Sequence, residues 1–435
     1  MDFDDDPLAI DASQGRGDGL SKHGFPLLLN AQGWAVWGEA DSAGEPGLNV
    51  TQPCDNRQGW PVMHASTGHL GETALTMEED LYARSWDYGK DADGFATLTS
   101  SLEPTEADLG TTETPIDRFF VCSGSEAPTI DTSAWSLRIC GDAANAEITL
   151  SWDELLALPQ IEQSAWIECA GNGRSMFTLV DGHEIPAENA HTGWMISGMG
   201  LARWKGPTLR SVLELAGWSD DAAWVSPEGL DVDNTEGEAA RMCLPLDKAL
   251  EATTILAVEM NGEPLPRAHG APVRLLVPGW VGAYSVKWLG ELTISSAWVP
   301  SWRADHYYVH RLPDSTITGH VTAHPVKSQL ALPYPAELAS GSHQLHGYAR
   351  SGEGAITSVE WQLDDGDWHP AQLDPVAGPL AWTVFRIDVE LAPGEHTIRT
   401  RATDATGAVQ PDHQPLHPYG VLWQSVIPHP ITTVG

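Results

Sequence analysis

Along the last quarter of the chain, apolar and polar residues alternate with a period of two. Val359, Trp361 and Leu363 interleave with Glu360, Gln362 and Asp364, and Asp365-Gly366 reads as a turn. Phe385, Ile387, Val389 and Leu391 alternate in the same way, Pro393-Gly394 turns the chain, and the pattern resumes from His396 to Ala402. Short strands with regular turns and no helical period predict a β-sandwich of about 110 residues.

The middle of the chain mixes two periods. Arg118–Val121, Trp135–Ile139, Ala165–Glu168, Thr254–Val258, Val273–Val277 and Lys287–Ile294 read as strands. Ser151 with Glu154 three residues on is a capping box, and Pro159 stops the short helix it opens. Pro207 is read as the start of a second helix, with Leu209, Val212, Leu213 and Ala216 on one face and Gly217 as its cap. The fold class is therefore α+β: a mixed α/β domain over 111–315, then the sandwich over 316–435. Residues 1–110 are rich in Gly, Asp, Thr and Pro. Their first twenty read as an acidic tail, and Leu27–Trp37 as a strand or an arm on the body.

Charge narrows the partners. The 435 residues carry 23 Lys and Arg against 60 Asp and Glu, a net charge of −37. That disfavours a nucleic-acid surface and adhesion to anionic membranes. No apolar run is long enough to span a bilayer. With Met1 as the native start, the sequence lacks a signal peptide and the expected compartment is cytoplasmic; a removed signal would make it periplasmic or extracellular. The five cysteines (54, 122, 140, 169 and 243) show neither CxxC nor CxxCH spacing, against a zinc ribbon or attached haem. What remains open is an anion site built from scarce cations.

Cys169 ends an apolar strand and opens the loop Cys169-Ala170-Gly171-Asn172-Gly173-Arg174. A thiolate there suits a soft metal or nucleophilic attack, while a lone cysteine is also commonly a small buried hydrophobe. Arg274 lies inside the apolar run Ala271 to Pro278 and needs a partner: a bound phosphate or carboxylate, or a remote acid. His269 and Lys287 stand near it in sequence. Trp194, Tyr307 and Tyr308 are candidate pocket walls, a tyrosine also being a proton donor or anion clamp.

Taken together, these segments resemble the sulfite oxidase family of molybdenum enzymes. The resemblance is carried by Ile167-Glu168-Cys169-Ala170-Gly171-Asn172-Gly173-Arg174, Ala202-Arg203-Trp204-Lys205-Gly206, Glu228-Gly229-Leu230-Asp231 and the run from Glu259 to Arg267. It continues through His269 to Arg274 and Val286-Lys287-Trp288-Leu289-Gly290. The resemblance implies a molybdopterin-binding domain, then an immunoglobulin-like domain that forms a homodimer. It implies molybdenum held by a single molybdopterin and by Cys169. Asp231, His269, Arg274, Tyr284, Ser285 and Lys287 would hold the pterin and its phosphate. Phe120, Val121 and Cys122 would lead into a further cofactor loop, and Arg174, Trp194 and Tyr307 match the family's substrate pocket. The implied activity is oxygen-atom transfer to or from a small oxyanion or S/N-oxide, with a separate electron-transfer partner.

Two departures bear on the substrate. Where the family has Arg-Asn-His after Phe-Phe-Val, this chain has Cys122-Ser123-Gly124, and Tyr419 stands in the place of another pocket arginine. Each charge-assisted hydrogen bond lost is worth roughly 1.5–3 kcal/mol, so sulfite is expected to bind weakly unless other groups compensate. The rival readings are reduction of S-oxides, N-oxides or nitrate, and a cofactor-free binding or assembly protein.

Overall fold

The computed structural model describes residues 28–29, 35–36, 90, 95–98, 101–185, 192–231, 238–312 and 316–434. The expected acidic tail lies outside them. Within the apolar 27–37 segment, Leu28–Leu29 pairs antiparallel with Ala35–Val36.

The first domain is built on two sheets. One has five strands, in the order Leu244–Pro245, Trp224–Gly229, Leu289–Ser295, Ser136–Cys140 and Ile148–Ser151. Its one parallel pairing joins Leu289–Ser295 to Ser136–Cys140. The main core packs on this sheet, with Leu137, Ile139, Leu292 and Ile294 against Leu209, Val212 and Leu213. Those last three lie on the helix Leu209–Ala216, whose N-cap is Thr208: its Oγ1 accepts from the Ser211 N–H at 3.2 Å. Pro207 instead ends the preceding strand, Met199–Pro207. The capping box at Ser151 forms as read, and the helix it opens spans Trp152–Leu156.

The second sheet runs in the order Glu263–Pro264, Glu259–Met260, Met199–Pro207 and Gln160–Glu168. The strand expected from Ala165 begins five residues earlier. Its polar half, Gln160 to Ser164, hides the period from a hydropathy reading, yet it pairs in full register with Met199–Pro207. The expected strand Arg118–Val121 shortens to Val121–Cys122. A 3-10 turn over Ile116–Arg118 closes instead, leaving Phe119 and Phe120 as core side chains. Val121–Cys122 joins Ser101–Glu103 and Ala96–Leu98 in a three-stranded sheet, which ties the end of the N-terminal extension to the body.

The C-terminal domain is the expected sandwich. One sheet runs Lys327–Leu330, Gly341–Arg350, Thr383–Leu391, Gln372–Leu373; the other runs Ala336–Ala339, His429–Val434, Gly394–Asp404, Ile356–Leu363, His369–Pro370. The alternating residues Val359, Phe385, Ile387, Val389, Leu391, Ile398 and Ala402 fill the core between them. The sandwich does not hang free. Trp166 and Leu201 of the first domain share a cluster with Tyr348, Trp382 and Val384. The Trp166 N–H donates to the Leu380 carbonyl at 3.2 Å. The strand that ends at Glu168 is thus held from both sides.

Candidate active site

Cys169 is the first residue past that strand, half-buried, with its N–H donating to the Gly198 carbonyl at 2.9 Å. Its sulfur lies 3.8 Å from that of Cys122, which the three-stranded sheet delivers from the other side. The two thiols are within hydrogen-bond distance, and either can be the donor. The hydrogen bond between them, aided by Lys287 and Arg303, brings the Cys122 thiol down to about 6. Cys169 is pushed correspondingly well above its ordinary range. A half-buried sulfur facing a second sulfur is not the small core hydrophobe that a lone cysteine usually makes.

Behind the thiols lies a group of cations. Arg274 is 6 % exposed; its Nε donates to the Ser285 carbonyl at 3.1 Å and its Nη1 to the His269 carbonyl at 3.3 Å. Lys287 Nζ donates to the carbonyls of Cys122 (3.0 Å) and Ala268 (3.2 Å) and to the Ser123 hydroxyl. Lys90 Nζ reaches the carbonyls of Ile116 (2.9 Å) and Phe119 and stands 3.4 Å from His269 Nε2. Burial lowers both lysines to about 7, and burial with the surrounding cations keeps His269 well below its usual range, a neutral imidazole. Among the described residues no ion pair involves Arg274, Lys287 or Lys90. The remote acid considered for Arg274 is therefore not found there. A cavity of about 520 Å³ opens beside the group; its wall is mixed in charge, with Lys90 and His269 on one hand and Glu113, Asp117 and Glu263 on the other. Arg274 is buried and the two lysines half-buried, and among the described residues their hydrogen bonds run to carbonyls and the Ser123 hydroxyl rather than to carboxylates; such a group suits a polyanion such as a phosphate.

The other expected residues fall into three places. Asp231 is buried, accepting from Ser125 Oγ at 2.9 Å and the Ala240 N–H at 3.2 Å. Ser285 turns its Oγ to the Val277 N–H, so it offers the group its carbonyl rather than its hydroxyl. The ring of Tyr284 packs edge-on against Trp280 in the main core. Phe120 packs edge-on against Trp194, and Val121 lies with Leu102 and Ala268.

On the thiol side, Arg174 donates to the carbonyls of Tyr419 (3.1 Å) and Thr192 (2.6 Å) and to the Tyr307 hydroxyl at 2.7 Å. Burial raises the Tyr307 phenol to about 12, so it stays protonated at neutral pH. Trp194 is fully buried, and among the described residues its Nε1–H has no hydrogen-bond partner. The segment after Trp194 is pinned by Glu103, whose carboxylate accepts from the Met195 N–H (3.0 Å) and the Ser197 N–H (2.9 Å).

Burial raises Glu103 from 4.5 to about 7, against those hydrogen bonds. The folded chain then holds a proton that the unfolded chain has released. The group's favourable contribution is full below pH 4.5 and is lost as pH rises through 7. Glu103→Gln is expected to flatten the stability-versus-pH slope by roughly 1–3 kcal/mol across that window. Urea midpoints of both proteins at about pH 5 and pH 8 check it; parallel slopes would refute it.

Glu168, next to Cys169, is the hub of the site. It is 1 % exposed and accepts from Lys327 Nζ at 3.0 Å, Asn172 Nδ2 at 2.9 Å and Arg350 Nε. Lys327 and Arg350 belong to the sandwich, so an ion triad across the domain junction fixes the thiol loop. Sequence reading missed Glu168's partners, 159 and 182 residues away, and missed Lys90 and Arg303. One signal was available: only six lysines occur in the chain, and Lys90, Lys287 and Lys327 are three of them.

Comparison with known proteins gives this geometry a family. Residues 124–302 match the oxidoreductase molybdopterin binding domain, and residues 320–424 the Mo-co oxidoreductase dimerisation domain. Sulfite oxidase of Gallus gallus is 35% identical over 320 residues, covering 69% of this chain and 68% of that protein. Mitochondrial sulfite oxidase of Homo sapiens is 35% identical over 319 residues. There the match covers 69% of this chain and 57% of the relative's length, so the chain spans little more than half of that protein. The NADH nitrate reductase of Hordeum vulgare is 27% identical over 341 residues, covering 69% of this chain and 36% of that one. The sulfane dehydrogenase SoxCD structure from Paracoccus pantotrophus superposes with a TM-score of 0.67 at 25% identity, covering 85% of this chain and 96% of that one. With a cysteine at a strand end, a cation group behind it and a sandwich locked onto the same strand, the two domain matches and the 35% identity to sulfite oxidase place the chain in the sulfite oxidase family.

Proposed function

We propose that the chain is a molybdopterin-dependent oxidoreductase that oxidises a small sulfur oxyanion of the sulfite type and passes the electrons to a separate acceptor. The observation that carries this is the cation group of Arg274, Lys287 and Lys90, with neutral His269 among them and no ion-paired carboxylate among the described residues, ending at a pair of thiols 3.8 Å apart. Such a group fits the phosphate end of a pterin, and a thiolate fits molybdenum. Arg274, Lys287 and His269 would hold the phosphate, with Asp231, the carbonyl of Ser285 and the 120–122 segment beside it, and Cys169 would be the metal's protein ligand. When bound, the cofactor supplies oxygen-atom transfer and storage of two electrons. In the net reaction sulfite takes an oxygen from water and releases two electrons and two protons.

The chain's own residues bind and orient. Arg174 is anchored by backbone carbonyls, so its position is set before substrate arrives. Tyr307, protonated and held by Arg174, can donate to an anionic oxygen. Trp194 Nε1–H, without an acceptor among the described residues, is a further donor. The sandwich would form the homodimer contact, as the dimerisation-domain match supports. Among the described residues no helix is long and apolar enough to cross a membrane.

Cys122 and Tyr419, at places where the family carries arginine, favour a second reading, reduction of an S-oxide, N-oxide or nitrate. A steady-state assay on molybdenum-loaded protein separates the two. Turnover of sulfite with an artificial electron acceptor is the expected result. A fully loaded enzyme inert to sulfite but active on an oxide with a reduced dye would establish the second reading. Protein that takes up no molybdenum in a cofactor-competent host would refute both.

A further inference from the structure

Each of the two site cysteines is followed, two residues on, by a glycine, and each glycine makes room for a guanidinium. At Gly171, a Cβ would meet Arg174 Nη2 at 2.6 Å and Cζ at 3.0 Å. At Gly124, a Cβ would collide with Arg303 Nη2 and lie 2.9 Å from its Cζ. Neither position tolerates a side chain while its arginine is in place. The thiol pair is thereby flanked by two arginines from different parts of the chain, Arg174 beside the Cys169 loop and Arg303 over the Cys122 loop.

Arg303 is directed there by an unusual turn. Residues Arg303–Tyr307 form a π-type turn, closed by the Tyr308 N–H donating to the Arg303 carbonyl at 2.9 Å. Four residues apart in so wide a turn, Arg303 and Tyr307 share a face. Tyr307 carries its hydroxyl to Arg174, so that face looks onto the thiols. The positive charge of Arg303 is also felt by Cys122, Tyr307 and Tyr308.

We propose that Arg303 is a specificity-determining anion-binding residue of the substrate pocket, supplying from the 303–307 turn the positive charge missing from the Cys122-Ser123-Gly124 segment. The trade is steric: the histidine that the family carries at the third place of that segment and the Arg303 guanidinium cannot share one space. The pocket then keeps two arginines around the thiols despite Cys122 and Tyr419. This rests on the reading of the site as an oxyanion pocket.

The test uses molybdenum-loaded enzyme and two readouts. In steady state, Arg303→Gln is expected to raise KM for sulfite at least about tenfold, with kcat changed by much less. Arg303→Lys should recover part of that loss. Gly124→Ala, which leaves Arg303 in the sequence but displaces its guanidinium, should move KM in the same direction. The second readout needs no turnover: calorimetric binding of sulfate, expected to weaken by at least about tenfold in Arg303→Gln. Equal sulfate affinity in wild type and Arg303→Gln, or no sulfate binding by loaded wild type, would overturn the proposal. If loaded wild type binds sulfate through Arg303 but does not oxidise sulfite, the reaction assignment fails and the anion site stands. Matching molybdenum content and melting temperature in the variants shows that the effect is local.

Discussion

Glu168→Ala is expected to destabilise the protein by about 3–5 kcal/mol, because it strands two buried cations. Arg350 and Lys327 are 1 % and 2 % exposed, and Glu168 is the carboxylate both of them meet. Among the described residues the Nη1 of Arg350 already lacks a partner. Burial alone would raise the Glu168 carboxyl, but Arg350 and Lys327 outweigh it and hold the group well below its usual range. Its stabilising contribution is therefore present above the unfolded pKa of about 4.5 and lost as pH falls through the lower folded value. Chemical denaturation of wild type and Glu168→Ala at neutral pH measures the effect. Adding Lys327→Met to Glu168→Ala should recover part of it, since one uncompensated charge is then removed. Equal midpoints for wild type and Glu168→Ala would show that water or rearrangement replaces the carboxylate. Because Glu168 precedes Cys169, the same substitution should also loosen the thiol loop, seen as weaker molybdenum retention on dialysis.

That triad marks where sequence reading stops. Features set by neighbours in sequence were legible: the Ser151 capping box needs only Glu154 three residues on, and the sandwich strands declare themselves through Val359, Phe385 and Ile398, whose inward faces are apolar. The motif around Cys169 was legible through family resemblance, and Arg274 through the cost of burying an arginine in an apolar strand. Features set by pairing across the fold were not. Gln160 to Ser164 extend a strand whose partner makes it one, not its own hydropathy. Glu168 looked like an ordinary motif residue until Lys327 and Arg350 arrived from the sandwich. Cys122 could be read as a lost arginine, but its sulfur 3.8 Å from Cys169 belongs to sheet geometry. Gly124 reads in sequence only as the end of the segment that departs from Arg-Asn-His, and only the fold shows Arg303 beside it.

The acidity of the chain takes on a sharper meaning against this geometry. A net charge of −37 suggests a protein with no use for anions. Yet the scarce cations gather at the site: buried Arg274 with half-buried Lys287 and Lys90 behind the thiols, buried Arg174 and half-buried Arg303 beside them. In low dielectric their attraction for a phosphate or a small oxyanion is far stronger than that of the exposed acids is repulsive, because solvent and salt screen the latter. An anionic substrate is then expected to associate faster as salt rises to moderate levels, while its bound state changes little.

Cys169→Ser is expected to abolish activity and molybdenum retention while leaving the fold intact. Serine keeps the size of the side chain at a half-buried loop position, so the melting temperature should move little. Its hydroxyl stays protonated at neutral pH and is a harder donor than a thiolate. Losing an outer-shell partner costs a metal site roughly 10–100-fold, and losing the ligand itself should exceed that. With a second thiol 3.8 Å away, the result is informative only beside Cys122→Ser. If Cys169 is the ligand, Cys122→Ser keeps its molybdenum and Cys169→Ser does not. The opposite pattern would transfer the role to Cys122, and retention in both single variants with loss in the double variant would mean that either sulfur can serve. The strand end, the Gly198 carbonyl and the Glu168 triad all fix Cys169, whereas Cys122 lies on a two-residue strand. A metal ligand must be held in place by its support, and on that ground the first pattern is the expected one.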